Sequence, residues 1–325
     1  MLIRILDLET TGVPTETVKH AVCEVGWCDV VVQGHDVTVG DPEAMLCNPG
    51  RPMPPDAQAV HHIADYMVAT APPPTEAFKL LMAGKPDAWC AHHARFEQQF
   101  FAGGEAPWIC TRKVGLRLWP DSPSHSNQCL RYFLKIDLEP AFAAPTHRAG
   151  PDAYVTANIL AAALKLATVD QMIAWSQEPD LLPRITIGDH RGKPWADVPG
   201  DFLSWMLSKP DMDADLKWNA RRELDLRDAR SKLLTQRINP LWEDAPSCGA
   251  YGDVDPRDGK AMAMIRNGAR TRVFAFVSEK IGVEVTHATI GILSLEQCRQ
   301  AWTALFNVTY PQIREWSKQR ETEAA

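Results

Sequence analysis

Two carboxylates, Asp7 and Glu9, stand two residues apart at the end of an apolar run over residues 2–8, and Thr10-Thr11-Gly12 follows them. Alternate side chains of a β-strand share a face, so both acids point into one volume. Like charges held that close repel unless a cation lies between them. A fold built on this strand must therefore bring counter-charge to the strand's end, or turn there and leave two solvated acids.

The surrounding pattern defines the class. Runs rich in Val, Ile, Cys and Leu at 2–8, 21–32 and 37–47, separated by Gly, Pro and Asp, predict a three-stranded meander. Helical segments at about 56–64 and 75–82, a strand at 88–91, a helix from about 93 to 101 and a strand at 108–110 come next. Helices near 113–118, 127–134 and 152–167 complete an α/β domain expected over residues 1–176. Beyond it, a short strand at 184–187, a Gly/His turn and helices near 201–207 and 213–224 predict a small α+β module over 180–240. Residues 241–258 carry Pro, Gly and Asp without periodicity and read as a linker. The remainder, 259–325, predicts a helical module in which Ser294 with Gln297 and Thr309 with Gln312 fit capping boxes.

The formal net charge of -7 looks wrong for a nucleic-acid partner until it is divided along the chain. Residues 1–179 hold 13 Lys+Arg against 20 Asp+Glu, a difference of -7, whereas residues 255–325 hold 10 against 8, a difference of +2. Clustered carboxylates suit a site whose own cations, and not its lysines, neutralise phosphate; acidic surface that merely solubilises is the competing reading. The eight cysteines show no CxxC pair and no zinc spacing, so they read as reduced, mostly buried thiols, which places the chain in a cytoplasm. The apolar run at 159–164 is broken by Lys165, and nothing predicts a membrane partner.

A second acidic signal lies at His147-Arg148-Ala149-Gly150-Pro151-Asp152-Ala153, with Asp152 at the start of a strong helix and His147 on the approaching loop. An acid there is an ordinary helix cap. Joined to the first pair it is also a metal ligand, with a histidine able to take a proton from water near neutral pH.

The segments DLETTG and HRAGPDA resemble the first and last motifs of the DEDDh 3′→5′ exonucleases, over about residues 1–168. Val22-Cys23-Glu24-Val25-Gly26 is similar to that family's second-strand "xxEIG" pattern, and Val60-His61-His62-Ile63 to its "hHgIt" loop. The middle motif reads Ala91-His92-His93-Ala94-Arg95-Phe96-Glu97, with His93 where the family usually has Asn and Glu97 where it has Asp. Glu is one methylene longer, about 1.5 Å of reach, which a flexible carboxylate absorbs while still binding a hard cation. His92 reads as structural and Phe96 and Phe100 as core.

The resemblance implies a ribonuclease H-like mixed sheet with flanking helices. It also implies two divalent ions, Mg²⁺ or Mn²⁺, held by Asp7, Glu9, Glu97 and Asp152, with His147 as general base. The implied partner is DNA with a free 3′ end, single-stranded or duplex, with Thr10 touching the terminal nucleotide or serving as a plain turn residue. Trimming of RNA is the alternative within the enzyme class. A nucleic-acid-binding protein that kept the fold and lost activity, with His93 and Glu97 as marks of decay, is the alternative outside it. Farther on, Ile185-Thr186-Ile187-Gly188-Asp189-His190-Arg191-Gly192-Lys193, with Asp197-Val198-Pro199-Gly200-Asp201-Phe202-Leu203-Ser204-Trp205, resembles the segment behind the exonuclease domain in exodeoxyribonuclease X-like proteins. His190, Arg191 and Lys193 are then candidate phosphate contacts, against a solvated hairpin tip, and Trp205 and Trp218 read as core. For Arg266, Arg270 and Arg272, nucleic-acid contact stands beside a partner-docking or purely structural helical unit.

Overall fold

A computed structural model of the chain describes residues 1–15, 17–252 and 254–323. It divides into two compact units, Met1–Pro194 and Trp195–Ala325.

The first unit is built on a mixed six-stranded sheet in the order β3-β2-β1-β5-β6 with β4 pairing β2. The strands are β1 (Leu2–Thr10), β2 (Val22–Gln33), β3 (Asp36–Val39), β4 (Glu43–Leu46), β5 (Ala88–Ala91) and β6 (Trp108–Cys110). β2 runs antiparallel to β1, β3 and β4, while β5 lies parallel to β1 and to β6. This is the mixed sheet with flanking helices that the resemblance implied. The single strand expected over 37–47 is two, because Gly40-Asp41-Pro42 interrupts it; Pro lacks the N–H a ladder needs.

Helices α1 (Pro55–His61), α2 (Asp65–Val68) and α3 (Pro74–Met82) precede β5, and α4 (Ala94–Glu97) follows it. α5 (Thr111–Leu118), α6 (Asn127–Phe133), α7 (Pro140–Ala143), α8 (Ala149–Ala163) and α9 (Val169–Gln177) follow β6. The helix expected from about 93 to 101 is a single turn, because Phe101 leaves it to pack edge-on against Trp89, with ring centroids 4.9 Å apart. The two faces of the sheet have separate cores. Ile3, Ile5, Cys28 and Val30 pack with Ala153, Ala157 and Leu160 of α8, whereas Leu6, Leu8, Trp27 and Trp89 pack with Ala77 and Leu81 of α3.

The first unit runs past the boundary expected at Ser176 because the following residues are tied back to α5 and β6. Ser176 Oγ accepts from Cys110 N at 2.8 Å, Arg117 pairs with Glu178 at 2.6 Å, and Arg112 pairs with Asp180. The strand expected at 184–187 is reduced to one bridge, Arg184 to Pro194, closed by Ile185 N donating to Lys193 O at 3.0 Å.

The second unit is helical: α10 (Gly200–Ser208), α11 (Ala214–Leu233), α12 (Asn239–Glu243), α13 (Gly259–Ile281), α14 (Leu295–Ala304) and α15 (Tyr310–Glu323). Asp213 caps α11 by accepting from Leu216 N at 3.0 Å, and the helix runs on through a π turn, Leu234–Ile238, into α12. It is longer than the segment expected at 213–224. The stretch read as a linker, 241–258, begins inside α12, and Ala245 is fully buried while Cys248, Ala250 and Tyr251 pack on the core around Val273, Val277 and Ile313. Ser294 and Gln297 form the expected capping box. Trp218 is half-buried, but Trp205, expected in a core, is 45% exposed and lies beside Phe202. Among the described residues no helix is long and apolar enough to cross a membrane, and all eight cysteines are free.

Candidate active site

Ile3 and Ile5 face α8, and period two continues that face to Asp7 and Glu9. α8 starts at Ala149, one turn before the start expected at Asp152, and Asp152 N donates to Arg148 O at 3.0 Å inside its first turn. Asp152 therefore projects from the helix that covers the acids' own face of the sheet. Carboxylate oxygens of Asp7, Glu9 and Asp152 lie within 4.8 Å of one another.

This convergence requires α8 to begin almost on the sheet. Gly26 is the register partner of Asp7, and a Cβ there would lie 2.1 Å from the Ala149 carbonyl carbon and 2.3 Å from Gly150 N. Backbone occupies that space, so no rearrangement of side chains makes room for a larger residue. A latch fixes the approach. Glu24, the register partner of Glu9 and only 2% exposed, accepts from Arg148 Nε at 2.8 Å, from Arg148 Nη2, and from Ala149 N at 2.9 Å. Breaking a buried pair of this kind costs on the order of 3–5 kcal/mol.

Glu97, on α4, is not among the oxygens that converge with Asp7, Glu9 and Asp152, although its charge acts on Asp7. It is 4% exposed, and its Oε2 is buried without a hydrogen-bond partner. Burial, reinforced by Glu9, pushes its carboxyl up to about 8. Glu9 is likewise pushed up to about 8 by burial and by the charges of Asp152 and Glu24. Asp7 is raised well above the ordinary carboxylate range, first by burial and then by Asp152, Glu9 and Glu97. A divalent cation fits the converging oxygens of Asp7, Glu9 and Asp152, three hard donors that are crowded and desolvated, with the orphaned Glu97 oxygen outside that group.

His147 sits exposed on the loop before α8 at φ +59°, and its N–H donates to Asp152 Oδ2 at 2.9 Å. Burial raises the Asp152 carboxyl, while this bond, the Gln128 side chain and the charge of the His147 ring all pull it down. Thr10 spends its hydroxyl on the turn, donating to Gly12 O at 2.9 Å and accepting from Gly12 N at 3.3 Å. His92 is a bridge between Thr111 Oγ1 and His125 O, both at 2.9 Å, and burial lowers it to about 4; His93 is exposed. His62 adopts φ +59° at the position where the "hHgIt" pattern has its small residue. His190, Arg191 and Lys193 occupy the turn at 188–193, where Lys193 Nζ meets His190 Nδ1 at 3.2 Å and Arg191 and Lys193 are exposed.

The residues that sequence reasoning missed are those that hold the ligands. Glu24 and Arg148 each lie in a recognised motif, but nothing in either marks them as partners across 124 positions. Gln128 and Asn127, which bond Asp152, lie in no motif at all.

A family model described as Exonuclease matches residues 5–160. Exodeoxyribonuclease 10 of Escherichia coli strain K12 is 30% identical over 231 residues, spanning 69% of this chain and 99% of that protein. The chain belongs to the exonuclease family. It is a 3′→5′ exonuclease of the exonuclease X-like kind. Among solved structures it is similar to exonuclease X in complex with 5′ overhanging duplex DNA, at 29% identity and a TM-score of 0.46, covering 54% of this chain and 99% of that one. It is also similar to the nuclease domain of 3′hExo, a DEDDh family member bound to rAMP, at 14% identity and a TM-score of 0.40, covering 50% and 92%.

Proposed function

We propose that this exonuclease hydrolyses DNA from 3′ ends and releases nucleoside 5′-monophosphates, using Asp7, Glu9, Glu97 and Asp152 to hold two divalent ions and His147 as general base. The observation that carries the reading is the convergence of Asp7, Glu9 and Asp152 within 4.8 Å; Glu97 stands outside that group with a buried, unpartnered oxygen. Bound there, Mg²⁺ or Mn²⁺ supplies charge to neutralise the scissile phosphate and to acidify a bound water.

The residues supply the rest. His147 takes the proton of the attacking water; the water oxygen bonds to phosphorus as the P–O3′ bond breaks, and the departing 3′ oxygen gains a proton to leave a shortened strand with a 3′-hydroxyl. The left-handed backbone at His147 keeps its N–H on Asp152, so the loop that carries the base is tied to the ligand at the start of α8. Glu97 in place of the family's Asp has its carboxylate within electrostatic reach of Asp7 and Glu9, which favours retained chemistry over a decayed, binding-only protein. DNA as substrate is favoured by the relative named as an exodeoxyribonuclease, nearly all of which this chain spans. His190, Arg191 and Lys193 serve as phosphate contacts on their exposed turn.

The test is release of mononucleotides from 3′-labelled single-stranded DNA, duplex DNA and RNA with and without Mg²⁺. Mg²⁺-dependent mononucleotides from DNA are expected. Faster release from RNA under the same conditions reassigns the substrate, and ion-independent release refutes the site.

A further inference from the structure

Asp152 is gripped by donors that the hydrolytic mechanism does not use. Gln128 Nε2 donates to its Oδ1 at 3.2 Å while His147 N donates to its Oδ2 at 2.9 Å, and Asn127 Nδ2 donates to its backbone carbonyl at 3.1 Å. Both amides come from the first turn of α6. Each carboxylate oxygen thus accepts one bond from the protein, which sets the plane of the group and leaves lone pairs on both oxygens for an ion.

The Gln128 amide has two unlike ends, and Arg131 decides which end meets the carboxylate. Arg131 lies three residues on, with Nη1 3.5 Å from Gln128 Oε1 and its guanidinium 5.1 Å over the Tyr132 ring. A cation at the oxygen end turns the NH₂ end toward Asp152. Reversed, the amide would set oxygen against carboxylate. This corner of the fold is also where polar satisfaction fails: of five buried side-chain atoms without a partner among the described residues, Glu97 Oε2, Asn127 Oδ1, Arg131 Nε and Thr156 Oγ1 lie on α4, α6 and α8. Those are the helices that carry or hold the acids.

We infer that Gln128, aligned by Arg131, is a positioning residue that fixes the Asp152 carboxylate for divalent-ion binding. The inference rests on the reading of Asp7, Glu9, Glu97 and Asp152 as ion ligands. Without the donor, repulsion from Asp7 and Glu9 drives the Asp152 carboxylate out of the cluster, because nothing but His147 N remains on its oxygens. Donors of this kind raise ion affinity by about 10–100-fold.

The experiment is calorimetric titration of Mn²⁺ into the full-length protein for wild type, Gln128→Met, Arg131→Met and the double variant. KM for a short single-stranded DNA is measured at saturating Mn²⁺. Methionine keeps the length of glutamine and removes the donor, so Gln128→Met is expected to weaken Mn²⁺ binding about 10–100-fold with KM unchanged. Arg131→Met should show a smaller loss, and the double variant no more than Gln128→Met, because Arg131 acts through Gln128. Gln128→Asn, one methylene short, should reproduce the loss if Gln128→Met melts too low to titrate. Wild-type affinity in both Gln128 variants overturns the inference, as do additive losses in the double variant. A raised KM with unchanged Mn²⁺ affinity in Arg131→Met overturns it too, by making Arg131 a substrate contact. If Asp7→Asn leaves Mn²⁺ binding intact, the reading of the acids as ligands has failed instead, whatever Gln128 does.

Discussion

In the second unit the cations lie over aromatic rings, Arg314 4.0 Å above Tyr251 and Arg237 4.2 Å above Trp302, around a core closed by Val273, Val277, Leu293 and Ile313. In the first unit the half-buried cation Arg148 is spent on a buried carboxylate, Glu24, while Asp7, Glu9 and Glu97 remain crowded and desolvated. Among the described residues, the second unit leaves one buried side-chain atom, Arg237 Nε, without a hydrogen-bond partner, and no crowded carboxylates. The first leaves repulsion in place at one spot and secures the surrounding backbone with Glu24, Arg148 and the close approach at Gly26. Unrelieved charge therefore marks the place where a ligand completes the structure, and the way to break the comparison is to remove that charge, then the base, then core from the second unit.

The largest effect is expected from Asp7→Asn, which should abolish ion-dependent cleavage. It should also change stability in a direction that loss of a structural residue would not. A carboxyl raised in the fold binds its proton more tightly there, so its stabilising contribution is full below its ordinary 4.5 and gone once pH rises through the folded value. For Glu9 and Glu97 that value is about 8. The ion-free wild type should accordingly melt lower as pH climbs from 4.5 to 8, and saturating Mg²⁺ should reverse the drop at pH 8. Asp7→Asn, with one charge fewer, should fall less over the same window and melt above wild type at pH 8 without ion. Melting points that hold level or rise with pH in the ion-free wild type would remove the basis for the comparison.

His147→Asn comes next. Asparagine tolerates the left-handed backbone that residue 147 adopts and keeps the N–H that Asp152 accepts, but it cannot serve as a base near neutral pH. Turnover should fall by about 10²–10⁴-fold with ion affinity and KM close to wild type. A parallel loss of Mn²⁺ binding would show that the side chain at 147 supports the ligands and does not merely move a proton.

The parts of this architecture that local pattern encodes were readable in advance: the face shared by Asp7 and Glu9, the paired strands, and the helix carrying Asp152. Period two and a helix start are properties of neighbours in sequence. Glu24 with Arg148, and Gln128 with Asp152, are pairs made by the closure of α6 and α8 on the sheet, and their residue types alone do not distinguish them from ordinary surface polar groups. The same limit explains residues 241–258, whose Pro and Gly suggest a free linker while Ala245 and Tyr251 are held by a core that only tertiary packing supplies. Trp205 errs the other way: its apolar bulk predicts burial, yet Leu203 and Met206 take the inward positions of α10 and leave it outside.

The smallest effect on catalysis is expected from the second unit. Ile313 is fully buried in α15 among Val273, Val277 and Tyr310, and truncating it to alanine removes several methyl-sized groups from a core with nothing polar to compensate. Large-to-small substitutions of this type cost about 2–5 kcal/mol, so Ile313→Ala should lower the melting temperature of the transition that reports residues 195–325. Every proposed ligand and the base lie before residue 153, and the latch that holds them, Glu24 with Arg148, belongs to the first unit as well. Turnover on a short single strand at saturating Mg²⁺, measured below the onset of melting, should therefore stay within about twofold of wild type, within the ±0.5 kcal/mol that a remote and independent site contributes. Hydrogen exchange followed by mass spectrometry separates the two units directly: faster exchange confined to α13, α14 and α15 is expected, with α8 and β1 unchanged. Loss of turnover accompanied by faster exchange in α8 would mean that the second unit's core holds the acids in place, and the division between a strained catalytic unit and the second unit would have to be redrawn.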